Sequence, residues 1–444
     1  MSRPGKVPLR AEDALFLHAQ TRFLCQQVGA VLLLEPGALD IAEFRAAVRQ
    51  RVLRVPELRR RLGAAPGRWR RPCWVADTDA DLTGRVREVL IGDAGVPRTL
   101  GGVIDMFFSQ WCDPYRRPWE ILLIRAAPRE GTAVAVKIHH ALGDSHTIIG
   151  ALAQLFDSTA GEAVPAPSAR ARPRGASRGA SRGRARAAAR ALRGLGHLAA
   201  AGSAPDVSVC GPFTSDRRRF MAVGFPARDV AMTARGLDAA IGDLLLAVIA
   251  EALSGLLRSR GEETAGRVVR VAMPRAHPRR AAGAAQQNRT AAISLDVPIG
   301  PATPEQRLAA VRGQIAAHVN RGEDAAAALV LRAMNMLPPP LQRFIAARVY
   351  QRRWFNMLVS VFPGIRRSYR LLGARVEQAY PVLALADGVG LSIGAMTWDR
   401  SFSVGILADA ALVPDVDKLA AEFTGAFELY QAAAQAQRRP ARGG

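Results

Sequence analysis

The chain has 444 residues, of which 49% are hydrophobic and 22% are charged, and this composition excludes an intrinsically disordered protein. The length exceeds what one ordinary hydrophobic core needs, so the sequence predicts two domains. The formal net charge of +23 favours a negatively charged partner, but aromatic and basic residues are not interleaved as in a nucleic-acid stacking platform, so we expect no nucleic acid partner.

The first part of the chain mixes predicted strands with a helix. Residues 28–36 read as an apolar strand. An amphipathic helix follows, with an apolar stripe formed by Ile41, Phe44, Val48 and Val52. Two neighbouring strands, 118–128 and 131–140, are joined by a turn, and alternation in the second of them predicts a half-buried strand.

A basic segment separates the two predicted domains. Residues 165–194 are rich in Arg, Ala, Ser, Gly and Pro and contain no acidic residue, so they bury too little apolar surface to offset the entropy of ordering. We interpret this segment as a flexible linker, and a tether to phospholipid is a second interpretation. The predicted division is an N-terminal domain at 1–160, the linker at 161–212, a C-terminal domain at 213–436 and a disordered tail at 437–444.

The second part of the chain repeats the mixture of helices and strands. Helices are predicted at 236–258, 304–320 and 415–436. Strand-like segments are "VVRVAMP" and "TAAISLDVPI", and two alternating runs around Asp399–Arg400 predict a hairpin. The pattern is that of an α/β protein.

Two adjacent histidines, His139 and His140, end the strand predicted at 131–140. A helical pattern follows, with Asp144 or Ser145 placed to cap it, so the local geometry is strand, tight turn and helix. Because successive strand side chains point to opposite faces, only one histidine faces any given cavity. Imidazole is a natural general base near neutral pH, yet a generic histidine pair is more often structural, and these residues alone leave both interpretations open.

The stretch "HHALGDS" (139–145) resembles the HHxxxDG signature of the CoA-dependent acyltransferase superfamily. Its surroundings are similar to one branch, the bacterial wax ester synthase/diacylglycerol acyltransferases. The similar segments follow the family's order over nearly the whole chain outside the linker. They are "LRAEDALFLHAQT", "VPELRRRL" with "RRPCWVADTDADL", "YRRPWEILLI", "AAIGDLLLAVIAEAL", "VSVFPGIRRSYRLLGARV" and "LVPDVDKLAAEF".

The resemblance implies a fold and an activity. The fold is α/β, with two chloramphenicol-acetyltransferase-like domains, mixed sheets and an interdomain channel. The activity is an O-acyltransferase that moves a long-chain acyl group from acyl-CoA to diacylglycerol or a fatty alcohol. Acyl-CoA is the co-substrate, and neither a cofactor, a metal nor a covalent intermediate is expected.

The resemblance also implies roles for residues near the motif. His140 is expected to be the general base that deprotonates the acceptor alcohol, and His139 is expected to shape the site. Asp144 is expected to hold the turn through an arginine contact, for which Arg275 is our candidate. Ser145 stands where the motif has glycine; serine tolerates positive φ less easily but caps helices well.

The remaining candidates belong to the substrate channel. Pro118 and Trp119 match a Trp-containing strand of the family, although a tryptophan beside a strand is more often part of a core. Gly242 stands where the family has asparagine, while the following Asp243 is retained. The segment "SVFPG" also lacks an asparagine that the family has there. These departures leave a changed substrate or reduced activity open.

Three interpretations of the function remain. The leading one is acylation of diacylglycerol or a long-chain alcohol. The second is acylation of a specialised natural product, with Gly242 reshaping the pocket, and the third is a non-catalytic relative that binds lipid or a membrane. Nucleic-acid binding through the arginine-rich linker is a remote fourth.

The sequence also predicts a location. No apolar run of 18 residues is free of charge and the N-terminal residues lack the apolar core of a signal peptide, so we expect a cytoplasmic protein. An anionic membrane or lipid-droplet surface suits its excess of arginine and its water-insoluble acceptors. Four cysteines without metal-binding spacing predict free thiols, and they are Cys25, Cys73, Cys112 and Cys210.

Overall fold

The structure is a computed structural model of the chain. It describes residues 7–37, 39–65, 67, 69–77, 82–125, 132–143, 154–155, 157–158, 202–276, 290–321, 329, 336–365 and 368–438. Its α-helices are α1 (Ala11–His18), α2 (Ile41–Val52), α3 (Leu100–Ser109), α4 (Ala227–Gly236), α5 (Ile241–Ser259), α6 (Pro304–Arg321), α7 (Pro339–Val349) and α8 (Val416–Arg438). Short 3-10 helices span Pro56–Arg59 and His140–Leu142.

The strands lie in both halves of the chain. Those of the first half are β1 (Val7–Pro8), β2 (Gln27–Leu34), β3 (Arg60–Gly63), β4 (Cys73–Ala76), β5 (Val86–Leu90), β6 (Trp119–Arg125), β7 (Thr132–His139) and β8 (Asp157–Ser158). Those of the second half are β9 (Arg218–Pro226), β10 (Val268–Ala276), β11 (Thr290–Pro298), β12 (Met357–Ile365), β13 (Tyr369–Leu371), β14 (Ala374–Val382), β15 (Leu391–Trp398) and β16 (Ser401–Asp409).

The first sheet carries the histidine pair. In the described part of the chain it has seven strands in the order β5-β6-β7-β2-β14-β13-β8, and β5 is parallel to β6 while the other pairs in the sheet are antiparallel. The predicted neighbours at 118–128 and 131–140 are therefore confirmed as an antiparallel pair. The expectation of a half-buried strand is wrong, because every residue of β7 is buried.

The burial of β7 on both faces has two causes. On one face, α3 covers the strand, and the Nζ of Lys137 donates to the carbonyl oxygens of Phe107 and Gln110 at 3.1 and 3.0 Å. On the other face, residues such as Val134 and Val136 join the core that α2 closes with Phe44 and Val48. The buried lysine therefore donates hydrogen bonds to carbonyl oxygens that have no partner within the helix at the C-terminal end of α3.

The second sheet builds most of the C-terminal half. Among the described residues its six strands run in the order β11-β10-β12-β15-β16-β9, with parallel and antiparallel pairs, and α5 and α8 pack against it. The predicted hairpin is confirmed, since β15 and β16 pair up to Trp398 and Ser401 around Asp399–Arg400. Mixed sheets in an α/β fold are thus confirmed.

Strand β14 crosses from the second half of the chain into the first sheet. It pairs with β2, for example Ala379 with Leu32, and its other side packs against β15 and β16. The second sheet makes room with small residues that lie in register across four strands, which are Ala222, Gly405, Gly394 and Ser360. A Cβ on Gly405 would overlap the carbonyl oxygen of Pro381 in β14, and one on Gly394 would lie 3.0 Å from the Pro381 Cγ. The two sheets therefore meet at β14.

One helix boundary predicted from the sequence is wrong. The helix expected at 236–258 is α5, which begins only at Ile241, because α4 ends at Gly236 and Asp238 adopts a positive φ of 49° between the two helices. Near the end of the linker predicted at 161–212, Val207 and Val209 are buried in the core of the second sheet, and the domain bounds stay a prediction. The rest of that linker, up to residue 201, lies outside the described residues, as does the tail beyond Arg438.

Among the described residues, no single helix is both long and apolar enough to cross a membrane. Of the helices described, the pair of α4 and α5 reaches the required length and composition when taken together, and the two meet at a 93° bend.

Candidate active site

The histidine pair lies where β7 ends and a 3-10 turn begins. His139 is the last residue of β7, and its backbone N–H donates to the carbonyl oxygen of Pro118 at 2.8 Å. His140 opens the turn, and its N–H donates to the carbonyl oxygen of Gln26 at 2.8 Å. The change from strand to turn gives the two side chains different surroundings, so that His139 is fully buried and His140 is partly exposed.

His139 is held as a neutral imidazole. Its Nδ1 accepts a hydrogen bond from the backbone N–H of Ala141 at 3.1 Å, and its Nε2 contacts the side-chain amide of Gln20. Burial, with a smaller contribution from neighbouring His140, lowers the pKa of His139 to about 3. With Nδ1 accepting, the proton of the neutral ring is on Nε2. His139 therefore stabilises the turn from its buried side, through the hydrogen bond that it accepts from Ala141.

The buried imidazole predicts that stability depends on pH. The unfolded chain protonates His139 near its usual pKa of about 6.5, whereas the folded chain does so only near 3, so the free energy of unfolding falls as the pH drops between these values. At up to about 1.4 kcal/mol per pH unit, we expect a loss of about 2 kcal/mol between about pH 6.5 and about pH 4.5. Urea unfolding of wild type and His139→Gln measures this. Equal losses in the two proteins would contradict the assignment to His139.

His140 belongs to an aromatic cluster drawn from both halves of the chain. Its ring stacks on Phe16 of α1, with ring centroids 3.6 Å apart and planes 17° apart. Phe16 meets Tyr350 edge to face at 6.0 Å, and Tyr350 meets Phe355 at 5.8 Å. Burial raises the pKa of Tyr350, so the phenol stays neutral. The cluster of Phe16, His140, Tyr350 and Phe355 thus places the candidate base between the two halves.

The turn that carries His140 is anchored by an arginine of β3. Arg60 donates from Nη2 to the carbonyl oxygen of Leu142 at 2.8 Å, and its guanidinium lies 4.5 Å from the centre of the Trp74 ring. Because Leu142 ends the 3-10 turn, this contact fixes the turn's far end, while the bonds to Pro118 and Gln26 fix its near end. Arg60 was not predicted from the sequence, since nothing in its local pattern points to residue 142.

Helix α1 supplies contacts that sequence reasoning also missed. Phe16, His18 and Gln20 lie in the opening segment "LRAEDALFLHAQT", whose only predicted significance was its resemblance to a family. Burial, and next to it the charge of Arg343, lowers the pKa of His18 to about 4. The signal in the sequence that could have predicted these contacts was the run "FLHAQ", which combines aromatic, imidazole and amide side chains.

The other predicted site residues have different surroundings. Pro118 is adjacent to His139, whereas Trp119 lies in the core of the first sheet and donates its Nε1–H to the carbonyl oxygen of Leu58 at 2.9 Å. Trp119 is therefore a core residue, and its predicted contact with the acyl chain of the substrate stays a prediction.

The remaining candidates are not brought to the histidines by any described contact. Gly242 and Asp243 lie in the first turn of α5, where a Cβ on Gly242 would meet the Met273 Cε at an ordinary 3.8 Å. Arg275 lies in β10, but its side chain is outside what the structure describes. Asp144 and Ser145 lie outside the described residues, so the proposed contact between Asp144 and Arg275 stays a prediction.

The thiols nearest the site are poor nucleophiles. Burial raises the pKa of Cys25 to about 11, and it raises that of Cys112 well above the usual range. Within the described residues, no group of three His, Cys, Asp or Glu side chains is arranged as metal ligands would be. The described residues here offer imidazole acid–base chemistry at the start of the 3-10 turn.

Comparison with solved structures defines the class of fold. The chain resembles the wax ester synthase/diacylglycerol acyltransferase from Marinobacter aquaeolei VT8 with a TM-score of 0.70 and 20% identity, covering 97% of this chain and 100% of that one. It also resembles the first condensation domain of the calcium-dependent antibiotic synthetase with a TM-score of 0.63 and 15% identity, covering 98% and 97%. The fold is thus the two-domain α/β fold shared by these acyltransferases and condensation domains.

Sequence comparison defines the family. Residues 9–245 match the wax ester synthase/diacylglycerol acyltransferase catalytic domain, and residues 286–431 match the C-terminal domain of the same family. The probable diacylglycerol O-acyltransferase tgs1 of Mycobacterium tuberculosis strain H37Rv is 27% identical over 427 residues, covering 92% of each chain. The chain belongs to the wax ester synthase/diacylglycerol acyltransferase family and is an acyltransferase.

Proposed function

We propose that this acyltransferase moves a long-chain acyl group from acyl-CoA to the hydroxyl of diacylglycerol or a fatty alcohol, with His140 as the general base. The observation that carries the proposal is the position of His140 at the end of β7, partly exposed and stacked on Phe16 between the two halves. The names of similar proteins, a diacylglycerol O-acyltransferase and a wax ester synthase/diacylglycerol acyltransferase, support this substrate class.

The choice of His140 over His139 follows from their surroundings. A general base must reach the proton that it removes and must have a pKa near the working pH. His139 fails both requirements, because it is fully buried, uses Nδ1 for the Ala141 N–H and has its pKa lowered to about 3. His140 is partly exposed at the start of the turn. We therefore assign proton transfer to His140 and support of the turn to His139.

The proposed reaction needs one proton acceptor and no covalent enzyme intermediate. His140 takes the proton of the acceptor hydroxyl as its oxygen attacks the thioester carbonyl of acyl-CoA. The tetrahedral intermediate then collapses, the carbon–sulfur bond breaks, and the imidazolium protonates the CoA thiolate. The products are an ester and free CoA, and acyl-CoA supplies the activated acyl group, so we propose no cofactor. The raised pKa values of Cys25 and Cys112 leave little thiolate at neutral pH, which argues against a covalent intermediate with the acyl group on either cysteine.

We propose a location on the cytoplasmic side of a membrane or at a lipid droplet. Diacylglycerol and long-chain alcohols partition into lipid, so an enzyme that acylates them must work at a lipid surface. The net charge of +23 supports attraction to anionic headgroups.

Release of CoA thiol from palmitoyl-CoA tests the proposed function. Purified full-length protein is assayed with dipalmitoylglycerol, with hexadecanol and without an acceptor, and the ester product is identified by chromatography. We expect release that depends on an acceptor and matches ester formation mole for mole, because each transfer frees one CoA. Folded protein that releases no CoA with either acceptor would contradict the proposal.

A further inference from the structure

Helix α7 presents apolar side chains to solvent. It packs against α1 and buries Gln342 and Ala346, while Leu341 is 42% and Phe344 53% exposed. Met336, three residues before the helix, is 88% exposed. Large exposed apolar side chains that cluster mark a surface that another body covers.

Arginines surround this apolar face. Arg343 and Arg348 are exposed on α7, and the guanidinium of Arg348 lies 3.7 Å from the centre of the Phe344 ring. Arg352 and Arg353 follow the helix, next to partly exposed Trp354. The sequence has no acidic residue between Asp324 and Glu377, so along the chain no carboxylate interrupts the positive charge.

The same helix leads directly to the candidate base. Tyr350 follows α7, lies edge to face with Phe16 at 6.0 Å, and Phe16 stacks on His140. The C-terminal end of α7 is thus connected to the imidazole through two aromatic rings, those of Tyr350 and Phe16.

We propose that the basic apolar face of α7, formed by Leu341 and Phe344 with Arg343 and Arg348, docks on an anionic phospholipid surface. Apolar side chains that enter the headgroup region and arginines that meet lipid phosphates are the two components of peripheral membrane binding. The arginines of a segment that has no acidic residue between Asp324 and Glu377 match anionic lipid by charge complementarity. The inference rests on the proposed function, since docking here brings a lipid acceptor beside His140.

Vesicle binding by the full-length protein tests the docking face. The test variant is Leu341→Glu with Phe344→Glu, and the matched control is Leu53→Glu with Leu429→Glu, which adds the same two carboxylates at leucines that are 60% and 45% exposed elsewhere. Co-sedimentation uses vesicles of phosphatidylcholine alone and of phosphatidylcholine with phosphatidylglycerol. We expect wild type to prefer the anionic vesicles, the double variant to bind them at least about tenfold more weakly, and the control to stay within about twofold.

A second pair of variants tests the charge. Arg343→Gln with Arg348→Gln is compared with Arg54→Gln and Arg228→Gln, which remove the same charge from exposed positions elsewhere. We expect about tenfold weaker binding only for the first pair, since each basic residue near an anionic surface contributes to binding. The proposal would be overturned if both α7 variants bound vesicles as wild type does, or if test and control variants lost binding equally. It would also be overturned if binding were lost only on deletion of residues 165–194. Equal binding of wild type to both vesicle types would do so too.

Activity measurements separate this inference from the proposed function. With diacylglycerol in vesicles, Leu341→Glu with Phe344→Glu should release CoA at least about tenfold more slowly than wild type, whereas with a short-chain alcohol dissolved in water the two should match. Wild type that binds vesicles through α7 but releases no CoA would overturn the function and leave the docking face in place. Release from vesicles that is equal in both proteins would overturn the docking face and leave the function in place.

Discussion

Replacing His140 with alanine is expected to lower acceptor-dependent CoA release by about 10²–10⁴-fold, the range typical for removal of a general base. The expected cause is loss of the proton acceptor, because the hydrogen bonds that hold the turn do not involve the imidazole. They run from the His140 backbone N–H to the Gln26 carbonyl oxygen and from the Arg60 side chain to the Leu142 carbonyl oxygen. The measurement is kcat/KM for thiol release with palmitoyl-CoA and hexadecanol.

Two controls separate chemistry from structure in this experiment. The thermal midpoint of His140→Ala shows whether the turn survives, and added imidazole should restore part of the lost activity if a missing base is the defect. His139→Gln serves for contrast, since its main expected effect is on stability and its pH dependence. Retention of more than about a tenth of wild-type activity by folded His140→Ala would exclude the imidazole as the general base.

Gly405→Ala is expected to lower the free energy of unfolding by about 3 kcal/mol, at the upper end of the range for overpacking a core. The reason is that a Cβ at this position overlaps the backbone carbonyl oxygen of Pro381 in β14. Strand β14 is itself held in the first sheet by its pairing with β2. Neither strand can move away without breaking pairs in a sheet.

Gly425→Ala is the matched control for this prediction. Gly425 is exposed on α8, and apart from the neighbouring backbone of its own helix no atom lies within 4 Å of the position that an alanine Cβ would occupy. Alanine there should therefore stabilise the helix by about 0.5–1 kcal/mol. Urea unfolding of both variants gives the two values. A loss below about 0.5 kcal/mol for Gly405→Ala would show that the sheets do not meet as closely as described.

Local patterns predicted much of the secondary structure. Of the predicted stripe, Phe44, Val48 and Val52 are buried in α2 and Ile41 is partly buried. Asp40 caps that helix by accepting from the N–H groups of Ala42 and Glu43. The hairpin at Asp399 and the strand that ends at His139 were also predicted, because two-residue periodicity is a property of neighbouring residues. The histidine pair was found in the same way.

Contacts between distant residues were beyond local reasoning. The stack of Phe16 on His140 and the edge contact of Tyr350 join three separate parts of the chain, and no periodicity in any of them encodes the others. The alternation in β7 suggested one exposed face because Ala133, Ala135 and Lys137 are small or charged, yet α3 covers them. The family resemblance supplied the roles expected of the histidines but not these neighbours.

The crossing of β14 sets an order in which the molecule can fold. Until β14 has been synthesised, β2 has a row of unpaired backbone groups on the side where Ala379 later pairs with Leu32. An open edge of this kind is a template for pairing with other chains. The first sheet therefore remains incomplete on the ribosome until most of the chain has emerged, and an N-terminal half produced alone would present an aggregation-prone edge rather than an autonomous domain.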